Sequence, residues 1–120
     1  MRYMRLIFAA IVLVASSARA QDFPDGSTPP AADELKRLLS GKTFEVKVPT
    51  GTNWRYQLKE NGYFFINAGN YSDSGKWNVE DGKLCTEPQK SKASCNEMRL
   101  SAGSLFLKRD NGQIVEFVAR

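Results

Sequence analysis

The chain has 120 residues, of which 17 are Lys or Arg, 13 are Asp or Glu and none is His. The absence of histidine excludes Ser-His-Asp and Cys-His nucleophile systems, and also histidine-based zinc or haem sites. The charged residues behind the net charge of +4 are unevenly distributed along the chain. What this charge implies about binding partners therefore depends on which segments remain in the mature protein.

The first 20 residues have the three parts of a secretion signal. Arg2 and Arg5 give a positive start, residues 6–15 form an uninterrupted apolar run, and a small-x-small sequence ends at Ala20. The run falls short of the ~20 residues that span a bilayer, which disfavours the alternative of an uncleaved membrane helix. The sequence therefore predicts cleavage after Ala20. Because Gln21 and not a cysteine follows, we expect a protein without a membrane anchor, periplasmic or secreted.

Cleavage changes the charge of the protein. It removes Arg2, Arg5 and Arg19 and no acidic residue, which leaves 14 basic and 13 acidic side chains. A balance so close to neutrality gives no electrostatic basis for binding nucleic acid. The sequence predicts no nucleic-acid partner.

Two cysteines, Cys85 and Cys95, remain in the mature chain. In an exported chain such a pair predicts one disulfide, which would support the modest core of a 100-residue domain. The alternatives are a metal pair or a redox pair, but the spacing is not C-x-x-C and no histidine is present. We expect no metal and no cofactor.

Residues 21–30 are rich in proline and polar residues and predict a flexible linker before a single domain over residues 31–120. A short helix follows, with Thr28 as its predicted N-cap and Gly41 at its end. Its leucines, Leu35, Leu38 and Leu39, form one apolar stripe that would pack on a sheet.

The rest of the mature chain predicts strands separated by glycine turns. We expect strands over residues 43–48, 53–59, 63–67, 75–80, 83–86, 95–100, 104–109 and 113–118. The predicted fold is mainly β, with one short N-terminal helix followed by an antiparallel meander of about eight strands. Such a meander forms a small barrel or a sandwich.

The turn sequences predict the strand register. At Glu60-Asn61-Gly62, a three-residue turn with a left-handed glycine pairs Leu58 with Phe64 and keeps the large apolar side chains on one face. The sequence Asp110-Asn111-Gly112 predicts the same arrangement, whereas Asp81-Gly82 predicts a two-residue turn.

The order of these motifs resembles a family of small exported proteobacterial domains of unknown function. The resemblance rests on a short helix, on Gly75-Lys76-Trp77, on Gly82-Lys83-Leu84-Cys85 and on a second cysteine, Cys95. It covers residues 32–117 and implies the same β fold, but no catalytic residue, because the family has no settled activity.

One segment, residues 67–75, predicts a mobile loop that holds binding residues. Its candidate binding side chains are Asn67, Asn70, Tyr71 and Asp73, with Tyr71 as an amphipathic anchor. A plain surface connection is the alternative. A catalytic carboxylate pair is a weaker hypothesis, with Asp73, Glu80, Asp81, Glu87, Glu97 and Glu116 as its candidates.

Three function classes follow from the sequence. The first is a non-enzymatic binding module of the cell envelope, whose partner is a periplasmic protein or an envelope polymer. A variant is an inhibitor of a lysozyme or protease: residues 74–77 are similar to a Ser-Gly turn used by some lysozyme inhibitors, and residues 21–30 would reach a protease cleft. The second is a carrier of a small apolar ligand, lined by Trp54, Tyr56, Phe64, Trp77 and Phe117. The third, an enzyme that uses carboxylates, is the least favoured, and we predict that the protein is not an enzyme.

Overall fold

The computed structural model describes residues 22–120, so the predicted signal peptide and Gln21 lie outside the described residues. Within this range a short helix, α1, precedes eight strands. The elements are α1 (Ala32–Leu39), β1 (Lys42–Lys47), β2 (Trp54–Leu58), β3 (Tyr63–Ala68), β4 (Tyr71–Glu80), β5 (Lys83–Pro88), β6 (Ser94–Ser101), β7 (Ser104–Lys108) and β8 (Ile114–Ala119). In this part of the chain, no helix has the length and apolar character needed to cross a membrane.

The strands form a closed antiparallel barrel. Each strand pairs with its neighbour in the chain, and β8 returns to pair with β1. The predicted fold class is therefore confirmed, and of the two architectures that the sequence left open, the barrel is the one formed.

The predicted hairpin registers are confirmed. Leu58 lies opposite Phe64, Leu107 opposite Val115, and Val79 opposite Leu84. Gly62 has φ +93° and Gly112 has φ +88°, the left-handed conformation that these turns need. Burial alternates along the strands accordingly, because one face of each hairpin points into the barrel.

Helix α1 closes one end of the barrel with its apolar stripe, in which Leu35 and Leu39 are fully buried. The prediction that Thr28 caps this helix is wrong. The N-cap position is Ala31, which has no capping side chain. The free N–H of Ala32 instead donates to the carboxylate of Asp81, in the β4–β5 turn (2.8 Å). This contact spans 49 residues of sequence, so local pattern alone could not reveal it.

The segment that the sequence predicted as a flexible linker is packed on the barrel over residues 22–30. Phe23 is buried, and the guanidinium of Arg99 lies 5.0 Å from its ring. Thr28 forms a β-bridge with Leu100, with hydrogen bonds in both directions (3.0 and 2.8 Å). The bridge uses the backbone N–H and C=O groups of Leu100, which lies in β6 beyond the residues that pair with β5. Because these groups form hydrogen bonds with Thr28, the segment is held on the barrel although its prolines favour a free loop.

Cys85 and Cys95 lie directly opposite each other on β5 and β6 and form the predicted disulfide. Cys95 is exposed, and the bridge joins the two strands on the outer face of the barrel. It therefore holds the base of the β5–β6 loop, residues 89–93.

Candidate functional site

The two ends of the barrel differ. At the closed end, α1 lies beside the β2–β3 and β4–β5 turns: the N–H of Gly41 donates to the carbonyl of Leu58, and Asp81 binds the start of the helix. The β1–β2, β3–β4, β5–β6 and β7–β8 connections meet at the opposite end. Successive turns of a meander alternate between ends, so the connections at that end frame an opening.

This opening leads to a cavity of about 660 Å³ inside the barrel. Its deep part is apolar and includes Tyr56, Phe64, Ile66, Leu84 and Leu107. Its rim carries polar and charged side chains, among them Tyr71, Asp73, Lys92, Asn96, Arg109 and Asp110. An apolar interior with a few polar groups at the entrance is typical of sites for small molecules, which commonly occupy the mouths of barrels.

A short chain of contacts holds one side of the rim. The guanidinium of Arg109 lies 4.9 Å from the centre of the Trp54 ring and donates to the side chain of Gln113 (2.7 Å). Gln113 in turn donates to the hydroxyl of Thr50 (3.0 Å), in the β1–β2 connection. The cation therefore has a fixed position over an aromatic face at the entrance.

Asp73 holds the opposite side of the rim. Although it is an acid on an inward-facing position of β4, its carboxylate accepts hydrogen bonds from the backbone N–H groups of Ser74, Gln89 and Lys90. Burial alone would raise its pKa, but these hydrogen bonds and one from the Tyr71 hydroxyl outweigh burial and lower the pKa. Asp73 is therefore an anion that fastens the β5–β6 loop to β4.

Tyr71 completes this contact from the surface. Its hydroxyl donates to the carboxylate of Asp73 at 3.3 Å, and the ammonium of Lys90 lies 5.5 Å from its ring. Desolvation and the negative charge of Asp73 raise the pKa of Tyr71, so the phenol stays protonated and remains a donor. Its ring lines the entrance of the cavity.

The mobile loop predicted over residues 67–75 does not exist in the structure, because β3 and β4 extend into it and leave a turn at Gly69 and Asn70. Of the four predicted binding residues, the structure brings Tyr71 and Asp73 together at the rim. Asn67 is exposed and lines a shallow depression on the outer face, and Asn70 is exposed in the turn.

Comparison with protein-family models, with curated proteins and with solved structures finds no match to this chain. Function must therefore come from the site, because a barrel fold is compatible with many functions.

The sequence did not indicate the rim residues Asn96, Arg109 and Asp110 as candidate binding residues. It placed Asp110 only in a turn. The available signal was topological: in a meander, every second connection lies at the same end. Once the strand order is predicted, the connections after β1, β3, β5 and β7 fall together.

Of the five aromatic residues predicted to line a cavity, the structure places Trp54, Tyr56 and Phe64 there. Trp77 does not line it, and its indole N–H donates to the carbonyl of Lys59 near the closed end. Phe117 packs in the core at 5.3 Å from Phe44.

The outer face offers a second depression, about 930 Å³, beside the disulfide. It is larger, but it lies over β4 to β6 on the barrel surface, whereas the first cavity is lined by inward-facing side chains of the barrel, so we assign the candidate site to the interior. Glu80, Cys85 and Cys95 cluster there within 4.8 Å. Since both sulfurs are in the disulfide, they offer no thiolate to a metal.

Proposed function

We propose that the mature chain is an exported, non-enzymatic binding protein that holds a small, mainly apolar molecule in the open end of its barrel. The observation that carries this proposal is the cavity of about 660 Å³, open at one end and closed by α1 at the other. Its volume lies in the range of ordinary ligand pockets, and its floor is aromatic and aliphatic.

The chemistry of the rim supports binding in preference to catalysis. Asp73, the buried acid of the site, is engaged by three backbone N–H groups and a phenol, so its oxygens are committed to structure. Asp110 accepts a hydrogen bond from the amide of Asn96 (2.8 Å). A carboxylate held as Asp73 is held lacks the free lone pairs and the raised pKa that a general acid or base needs.

The proposed location outside the cytoplasm rests on the predicted signal peptide and on the disulfide, which persists in oxidising compartments. The alternative of a hydrolase inhibitor has lost two of its supports. Residues 74–77 lie inside β4 and form no turn, and residues 22–30 are packed on the barrel.

A fluorescent probe tests the proposal. N-phenyl-1-naphthylamine is neutral and apolar and gains fluorescence when it leaves water, so the oxidised mature chain should bind it saturably. Ile66 points into the cavity and Phe65, its neighbour on β3, points to solvent. We expect Ile66→Trp to fill the cavity and weaken binding at least about tenfold, and the matched variant Phe65→Trp to leave binding unchanged.

Two results would contradict the proposal. One is the absence of saturable binding by the wild-type chain at probe concentrations up to about 100 μM, where even weak pockets bind such molecules. The other is an equal loss of binding in Phe65→Trp and Ile66→Trp, which would place the probe on the outer surface.

A further inference from the structure

The lining of the cavity includes the hydroxyl of Tyr56, a polar group that has no partner among the described residues of the protein. Tyr56 is 7% exposed and lines the cavity, and its hydroxyl makes no hydrogen bond with any residue between 22 and 120. Its ring is held by packing, with centroids 5.6 Å from those of both Phe64 and Phe117. The hydroxyl therefore cannot turn away to find a partner without breaking the core.

The Tyr56 hydroxyl differs from two other polar groups of the barrel wall, which have protein partners. The indole of Trp77 donates to the Lys59 carbonyl at 2.8 Å, and Asp73 accepts four hydrogen bonds. The Tyr56 hydroxyl instead reaches the cavity, where an acceptor can approach it through the open end.

The surrounding charges restrict what that acceptor is. Ile66 pairs with Tyr56 on one side and with Asp73 on the other, so the phenol and the carboxylate lie on the same row of the barrel wall. Burial and the negative charge of Asp73 raise the pKa of Tyr56, which keeps the phenol protonated. A second anion placed beside Asp73 would be repelled, whereas a neutral oxygen would accept the phenol proton without that cost.

The lining carries two positive side chains, Lys92 and Arg109, and two negative ones, Asp73 and Asp110, so its charges balance. The lining therefore favours neither a cation nor an anion as the ligand as a whole.

We infer that the cavity selects a neutral, mainly apolar molecule whose buried end carries an acceptor oxygen, such as a ketone, ester or ether, and that Tyr56 donates a hydrogen bond to it. This inference rests on the proposed function and adds the class of ligand. Tyr56 is the specificity-determining residue, and the apolar floor around it provides the affinity.

The test compares three probes of one shape: 2-acetylnaphthalene, 2-isopropylnaphthalene and 2-naphthoate. Their dissociation constants are measured by equilibrium dialysis against the oxidised mature chain, against Tyr56→Phe and against the control Tyr63→Phe. Tyr63 is 46% exposed on the outer face of the same hairpin, so its variant loses a hydroxyl far from the cavity.

Tyr56→Phe changes the dissociation constant of the ketone by one factor and that of the hydrocarbon by another. The ratio of these two factors cancels the different solubilities of the two probes. We expect a ratio of about two- to tenfold, the worth of one hydrogen bond. We expect naphthoate to bind more weakly than the ketone and to show no dependence on Tyr56. Tyr63→Phe should leave the dissociation constants of all three probes unchanged. Urea unfolding of Tyr56→Phe checks the fold, which should persist because the substitution removes only an unpaired hydroxyl.

The outcomes separate the two proposals. If none of the probes binds the wild-type chain, the proposed function and the inference both fail. If the probes bind but Tyr56→Phe affects ketone and hydrocarbon equally, the proposed function stands and the inference is overturned. Tightest binding of naphthoate, with dependence on Tyr56, would overturn it as well.

Discussion

Replacing Asp73 with asparagine tests the conclusion that this acid holds the β5–β6 loop. An asparagine keeps one acceptor oxygen and presents an NH₂ group in place of the second. If the amide oxygen takes the place of Oδ1, it still accepts from Ser74 and Gln89. The NH₂ group then faces the N–H of Lys90 and the hydroxyl of Tyr71, which are both donors.

The expected loss follows from these contacts. A hydrogen bond to a charged group contributes about 1.5–3 kcal/mol to stability. The hydroxyl of Tyr71 is at the surface and can bind water when its partner is lost, but the backbone N–H of Lys90 is partly buried. We therefore expect Asp73→Asn to lower the free energy of unfolding by about 2–4 kcal/mol at pH 7. The control Tyr71→Phe, which removes one exposed hydroxyl, should cost less than about 1 kcal/mol.

The effect also has a defined pH dependence. Because the pKa of Asp73 is lowered in the folded protein, its contribution is complete above the unfolded pKa of about 3.9 and is lost as pH falls through the folded pKa. Urea unfolding at a series of pH values should therefore show the difference between the wild type and Asp73→Asn shrinking below about pH 4. A difference under about 1 kcal/mol at pH 7, or one that stays constant into strong acid, would refute the role given to Asp73.

Three further variants test the structure around the site. Replacing Cys85 and Cys95 by serine opens a loop with a sequence separation of 10 and should lower the free energy of unfolding by about 2.7 kcal/mol in the chain-entropy model. Urea unfolding of the oxidised wild type and of the variant measures this loss, and equal unfolding midpoints would contradict the prediction. Leu39→Ala removes a fully buried side chain of α1 and should cost about 2–5 kcal/mol, as measured by thermal unfolding. Gly75→Ala should be destabilising by about 1–3 kcal/mol or more, because its Cβ would contact the Glu87 carbonyl oxygen; a circular dichroism melt unchanged from wild type would show that the backbone relaxes freely.

The antiparallel meander was predictable because its turns and its apolar alternation agree, although the sequence left a barrel and a sandwich open. At residues 60–62 only one turn type brings Tyr56 and Ile66 to the same face, and that pairing is the one formed. The first half of β4 was not predictable, because Tyr71 to Ser74 lack alternating apolar residues. Its inward position is Asp73, which is acceptable there only because backbone N–H groups from a distant loop satisfy it.

The N-terminal segment shows a similar limit. Prolines and polar residues normally indicate a free linker, and nothing nearby in the sequence pairs with Thr28. Its partner is Leu100, and the helix cap likewise comes from Asp81. For the candidate site, the aromatic floor could be read from the strand pattern. Of the rim, only Tyr71 and Asp73 were predicted as binding residues, because the rim is assembled from segments that are far apart in the chain.

The order of strand pairing has a consequence for how the cavity forms. Seven of the eight pairings join neighbouring strands, and only the pairing of β1 with β8 brings the ends of the chain together. Hairpins with short connections form early, whereas contacts between distant segments must first overcome the entropy of closing the chain. We expect the closure of β1 on β8 to come last, so that the cavity exists only in the completed barrel. A ligand that needs this cavity then binds the finished fold alone, and its binding stabilises the protein in proportion to RT ln(1 + [L]/Kd).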